Sequence, residues 1–272
     1  ISLWDNSLLW TVNINNGVAV DVAPSVAGLR ALTRTGTTYA PSGVVTDGSS
    51  SYLSRTPKTG IAYVDSATIL VVCRPSAAGG SATYGNCIAG FHTTDSSRGT
   101  IGINIDSSGQ AVATALSSNG LRTAVNTTAG SIVDKLVTLV ATKTSTGSNQ
   151  RCWVNGVRGS AASVSGSYVY NGSSAWEFAI GRGPGASVSG TTTYSSGTVY
   201  LVLVWNRVLS DQDIAVLSAN PWQVFQQTPY WTFAESAGAT THTTTTSLSA
   251  AIQIAANATA SIDTAIQTSQ TA

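Results

Sequence analysis

Acid–base and nucleophilic chemistry need particular side chains at particular spacings, and this 272-residue sequence offers few of them. Its glutamates are Glu177 and Glu235, and its histidines are His92 and His242. Hydrolysis of a glycosidic bond calls for two carboxyl groups about 5–9 Å apart, one as acid and one as base or nucleophile. Glu177 stands in Trp176-Glu177-Phe178-Ala179, with no second acid two or four positions on. That argues against a glycosidase. A serine–histidine–aspartate set can be drawn from His92, Asp95 and any of many serines. Serine is so frequent here that the coincidence carries little weight, and no G-x-S-x-G elbow is present. His242 lies in a threonine tract and reads as part of a solvated or docking segment.

Sugar binding makes different demands, namely flat aromatic rings and hydrogen-bonding side chains gathered in loops. Trp153, Trp176, Tyr168, Tyr170 and Tyr194 are available, with Asn155, Asn171 and Arg182 close to them in sequence. The best loop candidate is Tyr168-Val169-Tyr170-Asn171-Gly172. The expected carbohydrate-binding set is therefore Tyr168, Tyr170, Asn171, Trp176 and Arg182. Most of the tryptophans have a plainer role open to them, since Trp176 and Trp205 alternate with apolar residues and suit a core or interface. Gly181-Arg182-Gly183-Pro184-Gly185 invites comparison with a phosphate-binding loop. It lacks the Lys-Ser/Thr ending and has no helix after it, so it reads as a plain loop.

These residues must be positioned by β-structure. Ala67–Val72 is a continuous apolar run, and Thr100–Ile105 places Ile101, Ile103 and Ile105 on one face. A turn at Asp106-Ser107-Ser108-Gly109 leads into Gln110–Leu116. Lys135–Thr142 and Arg151–Val154 follow, the latter closed by Asn155-Gly156, a pair that tolerates the positive φ of a tight hairpin. Trp176–Gly181 and Thr198–Trp205 complete the set. Many short strands at regular spacing point to a sandwich or a barrel. One helix is expected after Ser210, a good N-cap, with Asp211 and Asp213 in its first turn and Ile214 and Leu217 facing inward. Asn220-Pro221 should end it.

Thirteen basic and twelve acidic residues leave a net charge of +1, too balanced for a protein that must displace counterions from nucleic acid. A 42% hydrophobic content excludes simple disorder, and no apolar run approaches the ~20 residues of a membrane-spanning helix. Neither nucleic-acid binding nor membrane insertion is expected. Only 9% of residues are charged, against about a quarter in ordinary soluble domains. Ser, Thr and Gly take their place, as they often do in extracellular and virion β-proteins. There is no methionine and the chain opens on Ile1, which reads as one piece of a longer protein. Cys73, Cys87 and Cys152 form no metal-binding spacing; buried free thiols are the favoured reading, with a Cys73–Cys87 disulfide unsupported.

Beyond Pro229 the composition shifts. Thr240–Thr246 is nearly all threonine, and Ser247-Leu248-Ser249-Ala250-Ala251-Ile252-Gln253 is echoed by Ser261-Ile262-Asp263-Thr264-Ala265-Ile266-Gln267. Thr and Ser are poor helix formers, so extended structure is the expectation. Too few large apolar residues are present to hold a core, so this tail should dock on a partner through Leu248, Ile252, Ile254, Ile262 and Ile266.

Four segments carry a resemblance. Asp47-Gly48-Ser49-Ser50-Ser51-Tyr52-Leu53, Trp153-Val154-Asn155-Gly156-Val157, Ile180-Gly181, and Gly197-Thr198-Val199-Tyr200-Leu201 running to Val204-Trp205-Asn206-Arg207-Val208-Leu209-Ser210 occur in the order found in laminin-G-like, concanavalin A-like jelly rolls. The resemblance covers roughly Gly43 to Trp222. It implies an all-β, two-sheet antiparallel jelly-roll sandwich with one short helix and a low-complexity C-terminal extension. The implied division is 1–42, a segment adding edge strands; 43–225, the jelly roll; 226–246, a Thr-rich linker; and 247–272, a docking tail. Glycosidases of this fold class carry E-x-D-x-x-E or E-x-D-x-E on one strand, which is absent here. Laminin-G-like domains often bind Ca²⁺ at the rim, so Asp95 and Asp106 are the candidate metal ligands, although Asp106 equally suits the structural task of opening its turn. No other cofactor is expected. The sandwich followed by Asn220-Pro221-Trp222-Gln223-Val224-Phe225 and an Ala/Thr/Ser repeat further resembles tailed-bacteriophage virion proteins. That resemblance implies a non-enzymatic head decoration, fibre, tail or baseplate component located in the virion. Its expected partners are other virion subunits in a homo-oligomer and, as the alternative function, a host surface glycan.

Overall fold

The computed structural model describes residues 8–15, 18–21, 30–40, 43–55, 66–80, 85–93, 99–117, 120–144, 150–161, 176–184, 192–225, 232–234 and 243–245. Chain contacts divide the protein into two units, Ile1–Val224 and Phe225–Ala272. The anchors read from the sequence, Leu248, Ile252, Ile254, Ile262 and Ile266, lie outside the described residues. In the second unit Thr232–Ala234 pairs antiparallel with Thr243–Thr245.

The first unit opens with β1 (Leu8–Asn15), β2 (Val18–Asp21), β3 (Arg30–Ala31), β4 (Thr33–Thr35) and β5 (Thr38–Ala40). It continues with β6 (Gly43–Asp47), β7 (Tyr52–Arg55), β8 (Ala67–Pro75), β9 (Asn86–Thr93), β10 (Gly99–Ile105), β11 (Ala111–Ser117) and β12 (Gly120–Asn126). Then come β13 (Val137–Lys143), β14 (Arg151–Val154), β15 (Val157–Arg158), β16 (Trp176–Ile180), β17 (Arg182–Pro184), β18 (Thr192–Tyr194), β19 (Ser196–Trp205) and α1 (Asp211–Ala219).

Among the described residues these strands form two large antiparallel sheets. One runs β15-β14-β13-β8-β19-β1-β2-β3, with β6 also paired to β19 and β5 to β6. The other runs β12-β11-β10-β9-β16-β7-β4. The long strand β19 explains how the N-terminal residues join. Its first half pairs with β6 and its second half with β1, so β1 lies inside the sheet.

Period-two patterning builds the core between the sheets. Ile101, Ile103 and Ile105 on β10 face Ile69 and Val71 of β8 and Leu139 and Ala141 of β13 across the core, and all are buried. Phe91 and Phe178 meet there at 5.0 Å between centroids, tilted by 58°, a favourable aromatic geometry. The alternate positions of the larger sheet are apolar as well. Leu70, Val140, Trp153, Leu201, Leu203 and Trp205 are all buried, as are Ile214 and Leu217 of α1. Strands buried on both faces read as continuous apolar runs, which is why β8, β13 and β19 do not alternate.

The helix begins as expected. Ser210 Oγ accepts from Asp213 N, and Asp213 Oδ2 accepts from Ser210 N, a complete capping box. Arg158 ties the β14–β15 hairpin to this helix through a 2.8 Å ion pair with Asp211. Thr68, fully buried, fixes the exit of β19: its Oγ1 donates to Arg207 O and accepts from Leu209 N. Asn155 and Gly156 take φ of 50° and 78°, as the hairpin turn requires.

Three expectations are refined. The strand expected at Lys135–Thr142 starts at Val137 and ends at Lys143. Asp134 adopts φ 60° and donates its N–H to Pro75 O, while Lys135 Nζ donates to Ser131 O. The turn thus extends two residues further, leaving Leu136 65% exposed and drawing Lys143 inside. The glycine-rich run after Gly181 is not a plain loop, because Arg182–Pro184 forms β17 and pairs with β18. Cys73, Cys87 and Cys152 are all free and buried, so the Cys73–Cys87 disulfide is not formed. Burial pushes the Cys87 and Cys152 thiols up to about 12 and Cys73 higher still, which leaves them inert as nucleophiles.

Candidate functional site

Among the described residues, a chemically varied surface lies at one rim of the sandwich. Four pieces of chain meet there: the turn between β6 and β7, the β17–β18 hairpin, the start of β19 and Ser76. The turn is organised by Asp47. Its Oδ1 accepts from the backbone N–H groups of Ser49, Ser50 and Ser51 at 2.8–2.9 Å, and its Oδ2 accepts from the Ser50 hydroxyl. In return Asp47 N donates to Ser51 Oγ. The sequence Asp-Gly-Ser-Ser-Ser is suited to this, because Gly48 takes φ 78° and the side chains that follow are small.

Those amides, from Ser50 first, then Ser49 and Ser51, hold the Asp47 carboxyl far below the usual carboxylate range. A depressed folded-state value means that the ionised form is favoured by folding. The contribution is complete above the ordinary carboxyl value and is lost as the pH falls below it. The acid limb of the melting temperature against pH should therefore be flatter in Asp47→Asn than in the parent, because the amide cannot titrate. Superimposable acid limbs would sink this assignment.

The β17–β18 hairpin lies against β9. Thr193 Oγ1 accepts from Cys87 N and sits 3.2 Å from Gly183 O, pinning the hairpin to that strand. Gly181 makes the turn into it, with N donating to Ile88 O and O accepting from Ser195 N. Arg182 and Tyr194 are register partners across the hairpin, so they share one face. The Arg182 guanidinium carbon lies 4.0 Å from the centroid of the Tyr52 ring, a close cation–π contact. Tyr52 and Tyr194 are 6.2 Å apart and tilted by 45°. All three side chains are half-buried, each with a surface open to solvent.

Beside this cluster is a shallow dent, open to solvent, with room for about one water molecule and lined by Thr46, Pro75, Ile88, Ser195, Ser196 and Thr198 among others. Ser76 Oγ and Ser196 Oγ share a 2.6 Å hydrogen bond at its edge.

The expected site residues fall out as follows. Arg182 is in the cluster. Tyr168, Tyr170 and Asn171 lie outside the described residues, and Trp176 opens β16 in register with Thr93. Trp153 is 3% exposed and so offers no platform. Asn155 Oδ1 accepts from Thr138 N and serves its turn. Asp95 is outside the described residues. Asp106 Oδ1 accepts from Ser108 N and Gln110 N, the structural task its sequence context suggests. Among the described residues no three His, Cys, Asp or Glu side chains gather as a metal site. Glu177 and His92 are register partners on β16 and β9, a proximity invisible in the sequence, but they are not a carboxylate pair. Tyr52 was read from the sequence only as part of a strand-opening motif. Nothing local marks it as a neighbour of Arg182.

Two packed antiparallel sheets with a short capped helix and a solvent-facing aromatic rim define a sandwich of the lectin and binding-domain type. The chain belongs to the Laminin_G_3 family of the concanavalin A-like lectin/glucanases superfamily, which it matches over residues 47–215. No curated protein sequence matches it. Among solved structures, the receptor-binding domain of botulinum neurotoxin C/D mosaic serotype is similar with a TM-score of 0.56 at 11% identity, over 79% of this chain and 52% of that one. A botulinum neurotoxin type C structure concerned with interaction with two ganglioside molecules gives 0.57 at 13% identity, over 84% and 53%. The binding domain of botulinum neurotoxin DC in complex with rat synaptotagmin II gives 0.55 at 13%, over 79% and 51%. The chain spans about half the length of these structures, and at such identities the likeness is one of fold.

Proposed function

We propose that this chain is a non-catalytic, lectin-like binding module that recognises a surface glycan through the rim of its sandwich. The observation that carries the reading is the Tyr52–Arg182–Tyr194 cluster, which sets aromatic rings and a guanidinium beside exposed hydroxyls. The sequence also carries no E-x-D-x-x-E or E-x-D-x-E run, and its glutamates, Glu177 and Glu235, stand in unrelated segments. A ganglioside ligand of one structural neighbour, as described for that protein, is consistent with a glycan partner here.

We further propose that the module is displayed on a bacteriophage virion, as a decoration, fibre, tail or baseplate component. The Asn220-Pro221-Trp222-Gln223-Val224-Phe225 segment and the repeated Ala/Ser/Thr tail support that reading. In it, Leu248, Ile252, Ile254, Ile262 and Ile266 anchor the chain to neighbouring subunits or to its own copies.

The test has two arms. The purified chain should bind a bacterial surface polysaccharide without releasing reducing ends. Release that Glu177→Gln abolishes would make the protein an enzyme. In the second arm, a chain ending at Ala239 should fold yet fail to join particles or oligomers. A truncated chain that still assembles would refute the anchoring role.

A further inference from the structure

We infer that two copies of this chain associate through the free edge of the smaller sheet, β12 pairing antiparallel with β12 of the second copy about a twofold axis at Thr123. Among the described residues β12 ends its sheet and pairs with β11 alone. Its seven residues, Gly120–Asn126, keep a regular register with β11, without a bulge. The other sheet edges are guarded by brevity: β3 and β15 have two residues each, and β4 and β5 have three. A short edge strand gives a second chain little to pair with, whereas a long regular one without proline, lysine or bulge is a template for pairing. β12 is of the second kind, and its one charged residue is Arg122.

Which backbone groups of β12 are free follows from the turn between β10 and β11. There Asp106 N donates to Gln110 O. Bonded and non-bonded pairs alternate along an antiparallel ladder. The even-numbered residues of β11 therefore turn their N–H and C=O groups toward β10, and the odd-numbered ones turn theirs toward β12. The register from Ala111↔Asn126 to Ser117↔Gly120 then commits Gly120, Arg122, Ala124 and Asn126 to β11. Leu121, Thr123 and Val125 direct their backbone groups outward, and Val125 is half-buried, still open to solvent.

The outward residues make the strand its own complement. About an axis at Thr123, Leu121 meets Val125 of the second copy and Thr123 meets its counterpart, each pair exchanging both of its hydrogen bonds. Apolar opposite apolar and threonine opposite threonine are favourable cross-strand pairs. Arg122 falls opposite Ala124, so no like charges meet. The Asn126 end is the crowded one, since Gly159 lies against Asn126 with no room for a Cβ. The residue that arrives there is Gly120 of the second copy, which brings no side chain. A net charge of +1 adds no long-range repulsion between copies. One strand is far less than the interface of a permanent dimer, so the association is reversible, at roughly micromolar affinity. It depends on neither the glycan reading nor the anchoring tail.

The test is sedimentation velocity on the full chain from about 1 to about 200 µM, a span that brackets a weak dimer. The parent should pass from monomer to dimer across it. Thr123→Pro removes one outward N–H and leaves the bonds to β11 in place, which is where an edge strand tolerates proline. It should weaken the dimer about tenfold, and Thr123→Lys should do the same by setting two like charges at the axis. Both variants should melt close to the parent. In a second arm, Thr123→Cys is treated with a short bis-maleimide and should be joined to its copy. Ser107→Cys, exposed on the β10–β11 turn, should stay monomeric under the same treatment, and the native cysteines are buried and do not compete. A parent that stays monomeric throughout, with Thr123→Cys joined no more than Ser107→Cys, would overturn the inference. An oligomer that both edge variants leave unchanged would overturn it too and assign the association to another surface, such as the tail. If proline unfolds the strand, the lysine and cysteine variants decide.

Discussion

Asn126→Ala should destabilise the protein by about 2–4 kcal/mol, read from denaturant unfolding, although Asn126 touches no candidate ligand. Asn126 closes β12 at the end of the smaller sheet and is fully buried. Its Nδ2 donates to Cys152 O at 3.2 Å and to Val157 O at 2.8 Å, both in the β14–β15 hairpin of the larger sheet. Its Oδ1 accepts from Ala129 N. One side chain therefore fastens the two sheets at that edge and also sets the turn that follows β12. Alanine removes the side-chain partner of Val157 O and Ala129 N and one of the two donors to Cys152 O, which also accepts from Gly159 N, and a group that loses its partner in a buried setting costs about 1–3 kcal/mol. Gly159, whose position leaves no room for a Cβ beside Asn126, lets the hairpin approach this side chain closely.

Asn126→Asp sharpens this expectation. The substitution replaces the donating amide with an oxygen facing two carbonyls. Burial and the facing carbonyls then favour the protonated carboxyl, raising its folded-state value. Stability of that variant should therefore be best in acid and should fall as the pH rises through the raised value, the reverse of the Asp47 effect. A variant that melts with the parent at neutral pH would show that the sheets do not depend on this clamp.

How much of this could be read in advance depends on whether the signal was local. The run Ile101, Ile103, Ile105 declares a strand face because a period of two is written into neighbouring positions. Asn155-Gly156 declares a hairpin because few other pairs accept two positive φ values. Ser210 and Asp213 declare a helix start at a spacing of three. Asn126, by contrast, looks like an ordinary loop residue before Thr127 and Thr128, because its partners Cys152 and Val157 come later in the chain. The candidate rim was hidden for the same reason. Tyr52 and Arg182 are joined only by the pairing of β7 with β16 and the turn at Gly181. Arg182 and Tyr194 are joined only by the β17–β18 register. Composition supplied the rings and hydroxyls, while sheet topology chose which of them meet. The two-residue shift of β13 has the same character. It follows from Asp134 reaching back to Pro75, a contact that no window of sequence contains.

Gly181→Ala should cost about 2–4 kcal/mol and at the same time reduce glycan binding, because this residue both turns the chain and sets the rim. Gly181 adopts φ 86°, where an L side chain is strained by about 1–2 kcal/mol. A Cβ added there would lie 2.6 Å from Thr46 Cγ2 and 3.2 Å from Ser51 O. The methyl can retreat only by moving β6 or the Asp47 turn, so the clash adds the overpacking cost of a filled core, about 1–3 kcal/mol. Either movement carries Arg182 away from Tyr52, since Arg182 is the next residue and Tyr52 follows Ser51. The two costs can be separated. Thr46→Ser removes the clashing methyl and keeps the hydroxyl that donates to Gly197 O. In the Gly181→Ala/Thr46→Ser double variant the steric part should be recovered and the backbone part should remain, a coupling of about 1–3 kcal/mol between neighbouring sites. Binding should return with the steric part, because it is the displacement of Arg182 that impairs it. If the double variant regains stability without regaining binding, the rim is not held by Gly181. If Gly181→Ala alone melts with the parent, the tight packing of this turn against Thr46 and Ser51 is itself wrong.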